Sequence, residues 1–156
     1  MKTVIIIPAR YASSRFPGKP LAALKLADGS RKSLIELSWE AAKQVQGISE
    51  VYVATDDDRI RNAAIEFGAE VIMSSSNCAN GTERCAEALE NAKLDADLVI
   101  NLQGDAPLTP PWFIEALIDA MRNDPAAQMA TPVLQVDPMT YGLFTEDRRN
   151  GRVGGT

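Results

Sequence analysis

An unbroken apolar run, Val4-Ile5-Ile6-Ile7, meets Pro8 and opens into Ala9-Arg10-Tyr11-Ala12-Ser13-Ser14-Arg15-Phe16-Pro17-Gly18-Lys19-Pro20. A short run with no polar alternation is the pattern of a strand covered on both faces, as in a parallel sheet. The strand is expected to break at Pro8, which has no N–H to donate to a ladder. Beyond it lies a cationic loop on a strand's carboxyl end. Pro8, Pro17 and Pro20 stiffen it and Gly18 permits close backbone approach.

The charge of the whole chain makes that loop stand out. Residues 1–32 hold seven basic side chains against the single acid Asp28, a local balance of +6. The rest of the chain carries −11, giving a net charge of −5. A basic cluster is often only a solvated face. Here an acidic protein gathers its cations around one stiffened loop, which suits a polyanion such as a triphosphate gripped by guanidinium forks and an ammonium.

Composition excludes several chemistries. The chain has no histidine, so imidazole bases and His-rich metal sites are absent. The chemistry must rest on carboxylates, cations, hydroxyls and a hard metal. Cys78 and Cys85 are too few for a disulfide framework and fit a reduced, cytoplasmic compartment. An acidic chain without Lys/Arg tracts does not suit nucleic acid. No stretch has the ~18 apolar residues of a membrane span, and no signal-peptide pattern precedes the first strand. At 156 residues, 46% of them apolar, one domain with a real core is expected.

Along the chain, Lys25 to Lys32 reads as a polar connection turning at Asp28-Gly29. Ser33 and Glu36 have capping-box spacing, and Leu34, Leu37, Ala41 and Val45 form the apolar stripe of the helix they open. Val51 to Ala54 is a second strand. It stops at Thr55-Asp56-Asp57-Asp58, acids that suit a helix cap and its dipole; Ile60, Ala63, Ala64 and Phe67 share the next helix face. Glu70 to Met73 is a third strand. The Ser74–Gly81 loop is either an ordinary polar connection or a ligand-reading edge with Arg84, in the first turn of a helix beginning at Thr82. Leu98 to Leu102 is a fourth buried strand, ending in Gln103-Gly104-Asp105. Thr109 caps another helix, with Phe113, Leu117, Ile118 and Met121 inward. Met129 to Val136 is a candidate fifth strand. Beyond Asp137 the pattern dissolves, and Asn150-Gly151 suggests a hairpin turn whose return strand is missing.

Alternating strands and helices predict an α/β fold, a three-layer Rossmann-like arrangement with a mostly parallel sheet. In such sheets ligands bind beyond the strands' carboxyl ends near a topological switch. The cationic loop, Asp56–Asp58 and Gln103–Asp105 all fall on that edge. Asp105, beside a glycine at a strand end, is the candidate Mg²⁺ carboxylate, since Mg²⁺ needs only one or two with phosphate and water. Neither Gly-x-Gly-x-x-Gly nor a Walker loop is present, which argues against a dinucleotide dehydrogenase or a P-loop ATPase.

Taken together, Ile7 to Pro20 resembles the opening signature of the 3-deoxy-manno-octulosonate cytidylyltransferases, or CMP-KDO synthetases. Val53-Ala54-Thr55-Asp56, Gly81-Thr82-Glu83-Arg84 and Asn101-Leu102-Gln103-Gly104-Asp105 match later motifs of that family in order. The resemblance implies a nucleotidyltransferase fold, of which residues 1–156 form the CTP-binding, N-terminal portion. It implies transfer of CMP from CTP to the anomeric hydroxyl of an acidic sugar, with release of pyrophosphate, for lipopolysaccharide or other cell-surface polysaccharide synthesis. By the same resemblance Arg10, Lys19 and Asp105 are the catalytic set, with Asp105 on Mg²⁺. Pro8, Ala9, Arg10, Arg15, Lys19, Arg84 and Gln103 surround the nucleotide. The partners implied are CTP, an acidic sugar and a second copy in a homodimer. Ala106 stands where the family commonly has Glu, and Ala27 to Leu34 replaces a shorter Gly-Lys-Pro turn. The alternatives are a non-catalytic nucleotide-binding fragment that needs its missing half, and a sialic-acid-type or other sugar nucleotidyltransferase.

Overall fold

A computed structural model describes residues 1–12, 16–133 and 135–149, the Arg148 side chain excepted. In chain order the elements are β1 (Thr3–Ala9), a 3-10 turn (Lys19–Leu21), β2 (Ala23–Lys25), β3 (Arg31–Ser33), α1 (Leu34–Lys43) and β4 (Glu50–Thr55). Then come α2 (Asp58–Glu66), β5 (Glu70–Met73), α3 (Gly81–Asn91), β6 (Leu98–Asn101), α4 (Pro111–Asn123) and α5 (Pro138–Arg149). The chain divides into a compact unit Met1–Asp119 and a second unit beginning at Ala120.

Within the first unit β5, β4, β1 and β6 form one parallel sheet in that order, with β1 in register against β4 through Ile7↔Val53 and against β6 through Ile5↔Ile100. The alternation of β1 builds both cores. Ile5, Ile7 and Ala9 pack with Ile35 of α1, Ile60 of α2 and Ile118 of α4, whereas Val4 and Ile6 pack with Cys85 and Ala88 of α3 on the opposite face. Ile5, Ile6 and Ile7 are fully buried, each stabilising the fold by about 1.5–3 kcal/mol relative to exposure. The three layers and the parallel sheet expected from the sequence are present.

Several local expectations change. β1 continues through Pro8 to Ala9, because its ladder with β6 ends at Ile6↔Asn101 and demands no N–H from the proline on that side. The buried face of α1 is Ile35, Ser38 and Ala42 rather than Leu34, Leu37 and Ala41, a one-residue rotation that a buried serine disguises. On α4 the buried residues are Ile114 and Ile118, with Phe113, Leu117 and Met121 outside that buried set. The Lys25–Lys32 connection contains an antiparallel hairpin, β2 with β3, turning at Asp28-Gly29 as expected. α3 starts one residue before Thr82, with Asn80 as its cap.

In the second unit, residues 129–133, 135 and 136 form no strand and are exposed, with Met129 and Val133 above four-fifths accessible. An apolar stretch with no neighbouring strand has no ladder to join. Asp137 instead caps α5, accepting from the Thr140 N–H at 2.9 Å and its hydroxyl at 2.7 Å. α5 carries Gly142 and leaves Met139, Tyr141, Leu143 and Phe144 exposed, so it has no buried stripe for periodicity to reveal. The Asn150-Gly151 turn lies outside the described residues. Among those described, no helix is long and apolar enough to cross a membrane.

Candidate functional site

The sheet order reverses direction at β1, with β4 on one side and β6 on the other, so the loops after β1 and β6 open into one crevice. A cleft of about 360 Å³ occupies it. Pro8, Ala9, Arg10 and Lys19 line it from β1 and its loop; Gln103 and Asp105 line it from the end of β6; Arg84 lines it from α3. Arg15 lies outside the described residues. Every other residue expected around the nucleotide borders this one cleft.

The approach of the two loops depends on Gly104. A Cβ there would lie 3.0 Å from the Pro8 carbonyl oxygen and 3.1 Å from Ile35 Cδ1, so backbone packs directly on β1. The fully buried Ser38 hydroxyl sits 3.0 Å from the Gly104 carbonyl and 3.1 Å from that of Leu34, tying the turn to α1. Asp105 succeeds that tethered peptide and is exposed at the cleft. Its Oδ2 forms an ion pair with Lys19 Nζ, joining the ends of the two loops. Arg10 is exposed, and among the described residues it has no carboxylate partner. One paired and one unpaired cation therefore face the same space.

Arg84 is different. It is 3% exposed; its Nη1 donates to Ser74 Oγ and, at 3.3 Å, to the Ser75 carbonyl, and it lies 3.3 Å from Asp56 Oδ1. Its charge is compensated internally, and it fastens the loop after β5 and the end of β4 to α3. Glu87 completes that loop by accepting from the Ser75 N–H and from Cys78 Sγ, contacts that hold its carboxyl below the usual range. The Ser74–Gly81 segment is thus a built wall, with Asn80 and Gly81 reaching the cleft. Asp57 and Asp58 serve α2: Asp57 caps it, accepting from Arg59 N at 2.9 Å, and Asp58 pairs with Arg61 at 2.8 Å. Neither borders the cleft.

Gln103 donates from Nε2 to Asn101 Oδ1 at 2.7 Å, and Asn101 in turn donates to Thr82 Oγ1 at 3.3 Å, so the carboxamide is held across to α3. Ala106 packs against the core and adds no carboxylate to the cleft. Among the described residues no cluster of three or more metal-ligating side chains exists, which leaves Asp105 as the lone carboxylate in the cleft. That donor set fits a cation held chiefly by a ligand's own phosphates. Sequence reasoning missed Ser38 and the close packing of Gly104 on β1, while Asn80 falls within the Ser74–Gly81 loop already weighed as a ligand-reading edge. A serine on the apolar side of α1 was the available signal for the first.

Residues 4–141 match the family described as Cytidylyltransferase. The chain is 46% identical over 156 residues to a 3-deoxy-manno-octulosonate cytidylyltransferase of Maricaulis maris, covering 100% of this chain and 58% of that protein. It is 47% identical to an 8-amino-3,8-dideoxy-manno-octulosonate cytidylyltransferase of Shewanella frigidimarina, covering 96% of this chain and 63% of the relative. A solved CMP:2-keto-3-deoxy-manno-octonic acid synthetase complexed with CTP superimposes with a TM-score of 0.73 at 47% identity, over 81% of this chain and 49% of the other. The chain spans about half the length of the curated relatives it matches.

Proposed function

The chain belongs to the cytidylyltransferase family, and from that premise we propose that its cleft binds CTP for transfer of CMP to an acidic sugar, 3-deoxy-manno-octulosonate or a close relative. The observation that carries this is the convergence of Arg10, Lys19 and Asp105 on one cleft at the carboxyl edge of a parallel sheet. In the proposed reaction the sugar's anomeric hydroxyl gives up its proton to solvent as its oxygen bonds to the α-phosphorus, while the bond to the bridging oxygen breaks and pyrophosphate leaves with that bond's electron pair. No covalent enzyme intermediate is needed.

The residues act by position and charge. Arg10 offers a forked donor to phosphate oxygens. Lys19 exchanges Asp105 for the triphosphate as it enters, which leaves the carboxylate open to a divalent cation. Asp105 would hold Mg²⁺ together with phosphate oxygens, and the bound cation would supply electrostatic stabilisation of charge on the phosphates. Gln103 and the Ser74–Gly81 wall border the rest of the nucleotide, with Arg84 keeping that wall in place. The family relationship further supports a place in cell-surface polysaccharide synthesis, in the cytoplasm and as a homodimer.

Calorimetric titration with CTP, UTP, ATP and GTP in the presence of Mg²⁺ tests the reading. Selective binding of CTP is expected, and Lys19→Ala or Asp105→Asn should each weaken it about 10- to 100-fold, the range for a lost charged hydrogen bond. Equal binding of all four nucleotides would point to another nucleotidyltransferase. No binding by the folded chain would sink the proposal.

A further inference from the structure

The loop that carries Arg10 and Lys19 is closed at its base by a contact the cleft does not include. The Gly18 N–H donates to the Tyr11 carbonyl at 2.9 Å, so the two cations flank a backbone clasp, one just before it and one just after. Gly18 takes φ +71°, and a Cβ there would lie 2.9 Å from Tyr11 Cε2 and 3.0 Å from Cζ. The aromatic ring therefore rests on the glycine. Over that same ring stands the Arg59 guanidinium, its carbon 3.3 Å from the ring centroid.

Arg59 is itself fixed. Its Nε reaches Asp57 Oδ1 at 2.9 Å and its Nη2 reaches Oδ2 at 2.7 Å, a two-pronged fork on the residue that caps α2. A planar guanidinium anchored this way presents a flat, oriented face, which an ammonium on a flexible stem does not. The chain of contact runs from the start of α2 through Asp57, Arg59 and the Tyr11 ring to Gly18. None of Asp57, Arg59, Tyr11 or Gly18 lines the cleft.

We propose that Arg59, anchored by Asp57 and stacked on Tyr11, is a positioning residue that presets the spacing of Arg10 and Lys19 for a polyphosphate. This rests on the nucleotide-binding reading and deepens it. A loop already closed before the ligand arrives loses less conformational freedom on binding, so the clasp contributes affinity without touching the phosphates. Simple charge attraction is the rival explanation, since Arg59 also adds a cation near the cleft. The fork separates the two, because lysine keeps the charge and loses the planar stack.

The test is calorimetry with CTP and Mg²⁺ on the parent chain, Arg59→Ala, Arg59→Lys, Tyr11→Leu and, as a control for charge, Arg61→Ala. Amide hydrogen exchange at Gly18 is read in the nucleotide-free proteins, with Ile6 as the internal reference for folding. Arg59→Ala is expected to weaken binding about 5- to 10-fold and to speed Gly18 exchange by a similar factor, with Ile6 unchanged. Arg59→Lys should recover little of the loss. Tyr11→Leu should match Arg59→Ala, and the double variant should be no worse than either, as expected for two members of one contact. Arg61→Ala should bind like the parent. Full recovery by lysine, or a weakened Arg61→Ala, would show that only charge matters and overturn the proposal. Unchanged Gly18 exchange in Arg59→Ala would overturn it too. A parent that binds no triphosphate defeats the nucleotide reading, a result distinct from a parent that binds and variants that bind equally.

Discussion

Ser38 shows how one buried hydroxyl can govern a site it does not touch. It bridges the carbonyls of Leu34 and Gly104, and the latter peptide leads directly into Asp105. Ser38→Ala leaves the Gly104 oxygen without that donor while changing almost no volume. It should cost about 1–3 kcal/mol in urea unfolding, the penalty for an unsatisfied buried acceptor. Sequence periodicity alone does not reveal this, because a serine on an apolar stripe reads as an interruption. Arg84 makes a related point. Its motif was legible, but its 3% exposure and its pairing with Asp56 show that the guanidinium works inside the wall.

At the level of elements, the cap of α3 decides where the cleft wall begins. Asn80 Oδ1 accepts from the Glu83 N–H at 2.9 Å, and Glu83 reaches back to accept from the Ala79 N–H at 2.8 Å. Asn80→Ala should cost about 1 kcal/mol of stability, read as a lowered urea midpoint at constant slope. The same change should weaken nucleotide binding, since Asn80 borders the cleft. β1, β4, β5 and β6 were legible because each carries a short apolar run. The central β1 and β4 are buried, whereas β6, expected to be buried, is an edge strand among the described residues that is only half-buried, with Asn101 exposed. The β2–β3 hairpin and α5 were not legible. Ala23, Leu24 and Lys25 are all exposed, and α5 keeps its large apolar side chains in solvent, so neither leaves a burial pattern in the sequence.

For the Met1–Asp119 unit as a whole, two buried acids that stay protonated make alkaline pH the weak side. Burial pushes the Cys85 thiol up to about 12, and burial with the Glu50 hydrogen bond pushes the Tyr52 phenol up to about 12. Both folded values lie above the ordinary 9.0 and 10.0, so the folded state holds protons that the unfolded chain releases. That stabilisation is complete below the unfolded values and drains away as pH rises toward about 12. Urea midpoints should therefore fall between pH 9 and pH 12, and Tyr52→Phe should flatten the upper part of the slope.

The amino-acid order was enough to place a parallel α/β sheet, a cationic loop after its first strand and a carboxylate after another, because buried strands and stiffened basic loops are local patterns. It did not order the strands. That β6 lies beside β1, bringing Asp105 to Lys19, is a non-local pairing about a hundred residues apart in chain position, and no local period records it. Nor did it show which cations are free, since Arg10 differs from Arg84 only in what the folded chain packs around it. Local chemistry is written residue by residue, whereas contact between distant residues exists only once the sheet has closed.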